Sequence, residues 1–203
     1  RKKPKEKPFV PKPHQKNAIT LAHKHFVKEN NSRGKLIFPC GSGKSLTGFW
    51  MMEKLKANST VVAVPSLSLV KQTLEVYLKQ VVAKNKNVKW LCICSDEGIG
   101  KSDDVVTYTR DLPVPCTTDP DYIKKWLKDN KNDNIIIFTT YQSGRLIAEA
   151  SKSLKFTFDL GVYDEAHKTV GKNENLFSYL LFEENISVKH RIFMTATERF
   201  YRG

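Results

Sequence analysis

Two short stretches of this chain hold residue types whose spacing could handle phosphate. The first is Gly41-Ser42-Gly43-Lys44-Ser45, which follows an apolar run at 35–38 and leads into a helical pattern at 44–56. In a strand, glycine-rich turn and helix of this kind, glycines let backbone amides approach an anion, and the helix N-terminus adds its partial positive charge. Lys44 would reach the β and γ phosphates of a nucleotide, and the Ser45 hydroxyl would ligate Mg²⁺. The strict form G-x-x-x-x-G-K-[ST] fails at its first position, which is Phe38. The alternative is a glycine turn that only opens a helix.

The second stretch is Leu160-Gly161-Val162-Tyr163-Asp164-Glu165-Ala166-His167. An apolar strand that ends in Asp-Glu places carboxylates at the carboxyl edge of a parallel sheet, where ligands bind in such folds. There Asp164 can hold Mg²⁺ through its water shell. Glu165, one residue on, can orient and deprotonate an attacking water. Standing alone, the same residues would read as a solvated acidic strand end; next to a phosphate loop they complete a hydrolytic set.

The elements that must position these residues alternate along the chain. A helix is predicted from residue 14 to the Asn30-Asn31-Ser32-Arg33-Gly34 break, with Ala18, Ala22 and Phe26 on one side. Strands are predicted at 35–38, 60–64, 88–94, 135–138, 156–163 and 191–194, and helices at 44–56, 67–82, 121–128 and near 176–182. Residues 95–118 are polar and least readable, with 105–109 able to pair as a strand. Continuous apolar strands separated by helices imply a mostly parallel sheet covered on both faces. The expected fold is therefore α/β and three-layered.

Composition narrows the class further. The 203 residues carry 34 Lys+Arg against 21 Asp+Glu, a formal net charge of +13, and are 40% hydrophobic, as expected of a globular domain and not of a disordered chain. No apolar run approaches the roughly 18 residues that cross a bilayer, and no signal peptide is read, so a soluble, intracellular (cytoplasmic) protein is expected. The charge suggests a polyanionic partner. Residues 1–13 hold four prolines and six basic residues and read as a tail or linker ahead of a domain at 14–203; the missing initial Met suggests a fragment. Cys40, Cys92, Cys94 and Cys116 lack the spacing of a zinc site and are expected as reduced, partly buried thiols. His23 and His25 are read as solvated, and Trp50, Trp90 and Trp126 as core or interface.

Together the motifs carry a family resemblance. Gly41-Ser42-Gly43-Lys44-Ser45, Asp164-Glu165-Ala166-His167 and Thr195-Ala196-Thr197 resemble motifs I, II and III of the superfamily 2 helicases and translocases, in order, with DEAH spelled out in full. Pro13-His14-Gln15 is similar to the glutamine motif, 64–72 to motif Ia, and Thr139-Thr140-Tyr141-Gln142-Ser143 to a later segment that touches the nucleic-acid backbone. The ending at 193–201 looks most like the restriction-type DEAH helicases, which commonly have proline where this chain has Glu198. The resemblance covers about residues 13–200.

That resemblance implies a first RecA-like P-loop NTPase domain using ATP and Mg²⁺. Gln15 would read the adenine edge, its alternative being a surface residue that opens a helix. His167 would link the hydrolysis site to motif III, where Thr195 and Thr197 relay nucleotide state. Ser66, Lys71, Thr140 and Gln142 would contact strand phosphates. The chain stops just past motif III, so a second RecA-like domain and its arginine fingers are expected elsewhere in a longer parent. Because such a finger contributes on the order of a thousandfold to hydrolysis, this piece alone should be a weak ATPase. The expected function is the ATP-binding motor domain of a nucleic-acid helicase or translocase, on DNA more than RNA, within a restriction or defence enzyme. The alternative is a nucleic-acid binding or sensing module whose ATPase drives no unwinding.

Overall fold

The computed structural model describes residues 7–39, 41–96, 108–165 and 178–196. Helix α1 (Pro13–His23) opens with proline at its first position, where the missing amide costs nothing, and runs on as a π turn over Lys24–Lys28. There follow β1 (Arg33–Ile37), α2 (Lys44–Lys54), β2 (Ser59–Val64), α3 (Leu67–Ala83), β3 (Lys89–Ile93), β4 (Cys116–Thr117), α4 (Pro120–Asp129), β5 (Ile135–Thr140), α5 (Gly144–Ser153), β6 (Phe158–Asp164) and β7 (Val188–Thr195). The seven strands form one sheet in the order β1-β7-β6-β2-β5-β3-β4, every pairing parallel.

The middle strands are buried on both faces, which is why β2 and β5 read as unbroken apolar runs. Alternate residues of β2 divide between two cores. Val62 and Val64 join Phe49, Met51, Leu74, Tyr77 and Met194 beneath α2 and α3. Val61 and Ala63 join Ile123, Leu127, Tyr141, Ile147 and Tyr163 beneath α4 and α5. The sheet is thus sandwiched between two helix layers, the three-layer α/β arrangement expected.

Register decides what gathers at the carboxyl edge. Ile37 of β1 is level with Thr195 of β7, Met194 with Asp164 of β6, Tyr163 with Ala63 of β2, and Val64 with Thr140 of β5. Five strand ends, leading into the phosphate loop, the 64–72 segment, the 139–143 segment, the Asp164-Glu165 pair and Thr195, therefore share one rim.

Several expectations need correction. The helix near 176–182 is a single 3₁₀ turn over Tyr179–Leu181, residues 176 and 177 lying outside the described residues. Asn185 donates its side-chain amide to the Tyr179 carbonyl at 2.9 Å and holds the chain in that turn. Of the strand at 105–109, residues 105–107 lie outside the described residues and Thr109 begins a 3₁₀ turn. Helix α5 and the two-residue β4 carried no expectation. His25 is not simply solvated: its Nε2 donates to the Arg33 carbonyl and its Nδ1 accepts from the Asn31 amide at 3.1 Å.

Trp50 and Trp90 pack in the first core and Trp126 against the second. Cys92 and Cys94 are buried and Cys116 half-buried, all as free thiols, while Cys40 lies outside the described residues. Among the described residues no helix is long and apolar enough to cross a membrane, and no group of three or more His, Cys, Asp or Glu is placed to hold a metal ion.

Candidate functional site

The loop after β1 is shaped by two left-handed glycines. Gly41 has φ +75° and Gly43 φ +81°, a region open to glycine at little cost. Gly43 is the N-cap of α2 and has no side chain to bond the first-turn amides, which leaves those amides facing the loop as in anion sites. Ser42 closes the turn, its amide donating to the Pro39 carbonyl at 3.2 Å. Thr47 donates its hydroxyl back to the Gly43 carbonyl at 3.0 Å. Lys44 and Ser45 occupy the first turn of α2, both half-buried.

Gln15 braces this loop from α1. It is 3% exposed, which excludes the surface reading. Its Nε2 donates to the Ser42 and Gly43 carbonyls at 3.2 and 3.4 Å, while its Oε1 accepts from the Lys12 amide at 2.8 Å. A Cβ on Gly43 would stand 2.5 Å from that Nε2. The loop bracing was not anticipated from sequence; Gln15 and the loop are 27 to 28 positions apart.

At the end of β6, Asp164 is 5% exposed, and its Oδ1 accepts from the Glu165 amide at 2.9 Å. Glu165 turns out of the strand with φ +50°. Its Oε1 accepts from Lys44 Nζ at 2.7 Å, joining the two motifs across 121 positions, with side-chain exposures of only 10% and 15%. An ammonium, a helix N-terminus and two carboxylates thus share one small region. Cationic and amide donors there suit phosphate oxygens, and the Ser45 hydroxyl with Asp164 supplies the hard oxygen donors a Mg²⁺ ion takes. The residues present therefore fit a magnesium nucleotide.

Thr195 ends β7 beside the loop, its carbonyl accepting from the Phe38 amide at 3.1 Å and its hydroxyl donating to the Ala196 carbonyl at 3.0 Å. Farther along the rim, Ser66 caps α3, its hydroxyl accepting from the Leu69 amide at 3.4 Å, and Lys71 is half-buried one turn later. Thr140 is buried, its hydroxyl accepting from the Ser143 amide at 3.3 Å, whereas Gln142 is exposed. His167 and Thr197 lie outside the described residues. The structure brings Gln15, the 41–45 loop, Asp164, Glu165 and Thr195 together, with Ser66, Lys71, Thr140 and Gln142 following the ends of neighbouring strands.

Comparison with known proteins bears on the family and the fold. The family described as "Type III restriction enzyme, res subunit" matches residues 8–200. A protein of African swine fever virus named as a probable helicase is 27% identical over 189 residues, covering 92% of this chain and 19% of its own length. The chain thus spans about a fifth of the curated relatives it matches. Among solved structures, the ATP-dependent Type ISP restriction-modification enzyme LlaBIII, bound to DNA, superposes with a TM-score of 0.77 at 27% identity over 95% of this chain and 13% of the other. A nuclease-deletion mutant of the Type ISP enzyme LlaGI, in complex with a DNA substrate mimic, gives 0.72 at 26% identity over 95% of this chain and 18% of the other. With this fold, these motif positions and a match across nearly its whole length, the chain belongs to the family of the type III restriction enzyme res subunit, with the fold of the first RecA-like domain of superfamily 2.

Proposed function

We propose that this domain, residues 14–203 behind a basic tail at 1–13, hydrolyses ATP to drive movement along nucleic acid, DNA in preference to RNA. The observation that carries the reading is the contact of Lys44 with Glu165, which unites a phosphate loop and a carboxylate pair at one sheet edge. The backbone of Gly41, Ser42 and Gly43 and the ammonium of Lys44 hold the phosphates. Gln15, whose carboxamide braces the loop, has one Oε1 lone pair left with which to accept from the adenine amino group. Ser45 and Asp164 would hold Mg²⁺, which would supply positive charge against the nucleotide phosphates.

Glu165 accepts a proton from the water that attacks the γ phosphorus, as the bond to the ADP oxygen breaks. His167, Thr195 and Thr197 relay the change, and Ser66, Lys71, Thr140 and Gln142 contact strand phosphates, which position a polymer without reading its sequence. DNA is favoured because the Type ISP relatives were solved with DNA. A second RecA-like domain in the full-length chain closes over the nucleotide and supplies an arginine, and the intact enzyme works in the cytoplasm.

The test is phosphate release from ATP by the full-length protein with single-stranded DNA, duplex DNA or RNA, beside Glu165→Gln. Stimulation by one polymer that the variant abolishes establishes the motor and names its track. Binding of a polymer without stimulation overturns the motor reading and leaves a binding or sensing module.

A further inference from the structure

Tyr141 stands between Thr140 and Gln142 at the end of β5, yet its side chain runs inward and is fully buried in the second core. Its backbone amide donates to the Val64 carbonyl at 3.0 Å, at the mouth of the segment leading to Ser66. Its phenol crosses the rim and donates to the backbone carbonyl of Asp164 at 2.8 Å.

That carbonyl belongs to the peptide joining Asp164 to Glu165. The other half of the same peptide, the Glu165 amide, donates to Asp164 Oδ1 at 2.9 Å. Both polar groups of the unit that carries the two carboxylates are therefore held, one of them by Tyr141. The hold matters because Glu165 sits at φ +50°, a conformation costing a non-glycine residue about 1 kcal/mol. Surrounding contacts must over-determine such a residue for it to persist.

The turn that carries Tyr141 is tight. The Ser143 amide donates to the Thr140 hydroxyl at 3.3 Å and the Gly144 amide to the Tyr141 carbonyl at 3.3 Å. Residues 140–144 are tied together, with the Gln142 side chain outward and the Tyr141 phenol inward on Asp164. We propose that Tyr141 is a positioning residue that transmits strand engagement at this turn to the Asp164–Glu165 peptide, and so to the direction of the Glu165 carboxylate. The inference rests on the reading of Thr140 and Gln142 as polymer contacts. A shift of the turn moves the phenol, and the peptide it holds rotates Glu165 relative to Lys44.

The experiment compares Tyr141→Phe with wild type in the full-length protein, using the same three polymers. Stimulated and basal phosphate release, polymer affinity and thermal melting are read on each. The expected result is a fall of about tenfold in the ratio of stimulated to basal turnover at saturating polymer, with polymer affinity within about twofold of wild type. A purely structural role lowers both rates together and leaves the ratio unmoved; that outcome, with wild type stimulated normally, overturns the assignment alone. A wild type that no polymer stimulates overturns the motor reading and this assignment with it. Should Tyr141→Phe not fold, amide exchange on the wild-type protein decides: polymer that protects 140–144 together with the Glu165 amide upholds the link, and protection of the turn alone sinks it.

Discussion

Lys44 Nζ lies 2.7 Å from Glu165 Oε1, so the cation suited to phosphate and the carboxylate suited to a water proton neutralise each other directly, largely shielded from solvent. Phosphate entering the loop competes with Glu165 for Lys44. Glu165→Gln should therefore bind ATP at least as tightly as wild type while losing turnover on the order of a hundredfold or more, the share of a general base. Lys44→Ala should lose both binding and turnover, the latter by about a hundredfold or more. Equilibrium binding of a fluorescent ATP analogue beside single-turnover phosphate release separates the two, and weakened binding in Glu165→Gln would count against the competition.

The loop glycines should differ in sensitivity. Alanine at Gly41 meets backbone strain at φ +75°, and among the described residues nothing lies within 4 Å of an added Cβ; the expected cost is about 1 kcal/mol. Alanine at Gly43 meets the same strain and also Gln15 Nε2 at 2.5 Å. Its loss of unfolding free energy and of ATP affinity should exceed that of Gly41→Ala, with Gln15→Ala in the same chain recovering part of the difference. Urea midpoints and ATP titrations check this; equal losses at the two glycines would show that the Gln15 contact is unimportant.

Arg191 is 1% exposed and serves the shape of the 183–188 turn. Its guanidinium donates to the Glu183 carboxylate, to the Ile186 carbonyl at 2.6 Å and to the Val188 carbonyl at 2.9 Å. Arg191→Leu strands those carbonyls, an expected loss of about 3 kcal/mol, or about 10 °C in melting temperature for a chain of this size. Calorimetry measures it, and the ATP KM of the protein that remains folded should be unchanged.

Burial pushes His190 below its ordinary value of 6.5. Its folded-state value lies under the unfolded one, so between the two the unfolded chain binds more protons, and stability rises with pH. This contribution is complete above pH 6.5 and is lost as pH falls through the folded value. Wild type should lose unfolding free energy between pH 7 and pH 5 more steeply than His190→Gln, as urea unfolding at both pH values would show.

Much of the fold was legible because its signals are local. Strands β2 and β5 announced themselves as unbroken apolar runs, since helices cover both their faces. The apolar spacing in α3, Val70, Leu74, Tyr77 and Val81, is the buried stripe itself. Helix α5 is not legible in the sequence, because its buried face is built from Gly144, Ala148 and Ser151 beside Ile147, residues too small or polar to mark a stripe. The helix expected near 176–182 is a 3₁₀ turn at Tyr179–Leu181 because the Asn185 side chain, bonded to the Tyr179 carbonyl, helps decide its geometry.

From its sequence alone this protein is determined as a layered α/β domain, with a phosphate loop between strand and helix and a carboxylate pair ending a later strand. Periodicity and turn chemistry act over a few residues and are written in the order of the chain. Only the tertiary structure decided that Lys44 meets Glu165 across 121 positions, that Gln15 braces the loop, and that Tyr141 holds the peptide between the two acids. Those contacts follow from the strand order β1-β7-β6-β2-β5, which arises from burying both faces of one sheet at once and which no local propensity encodes.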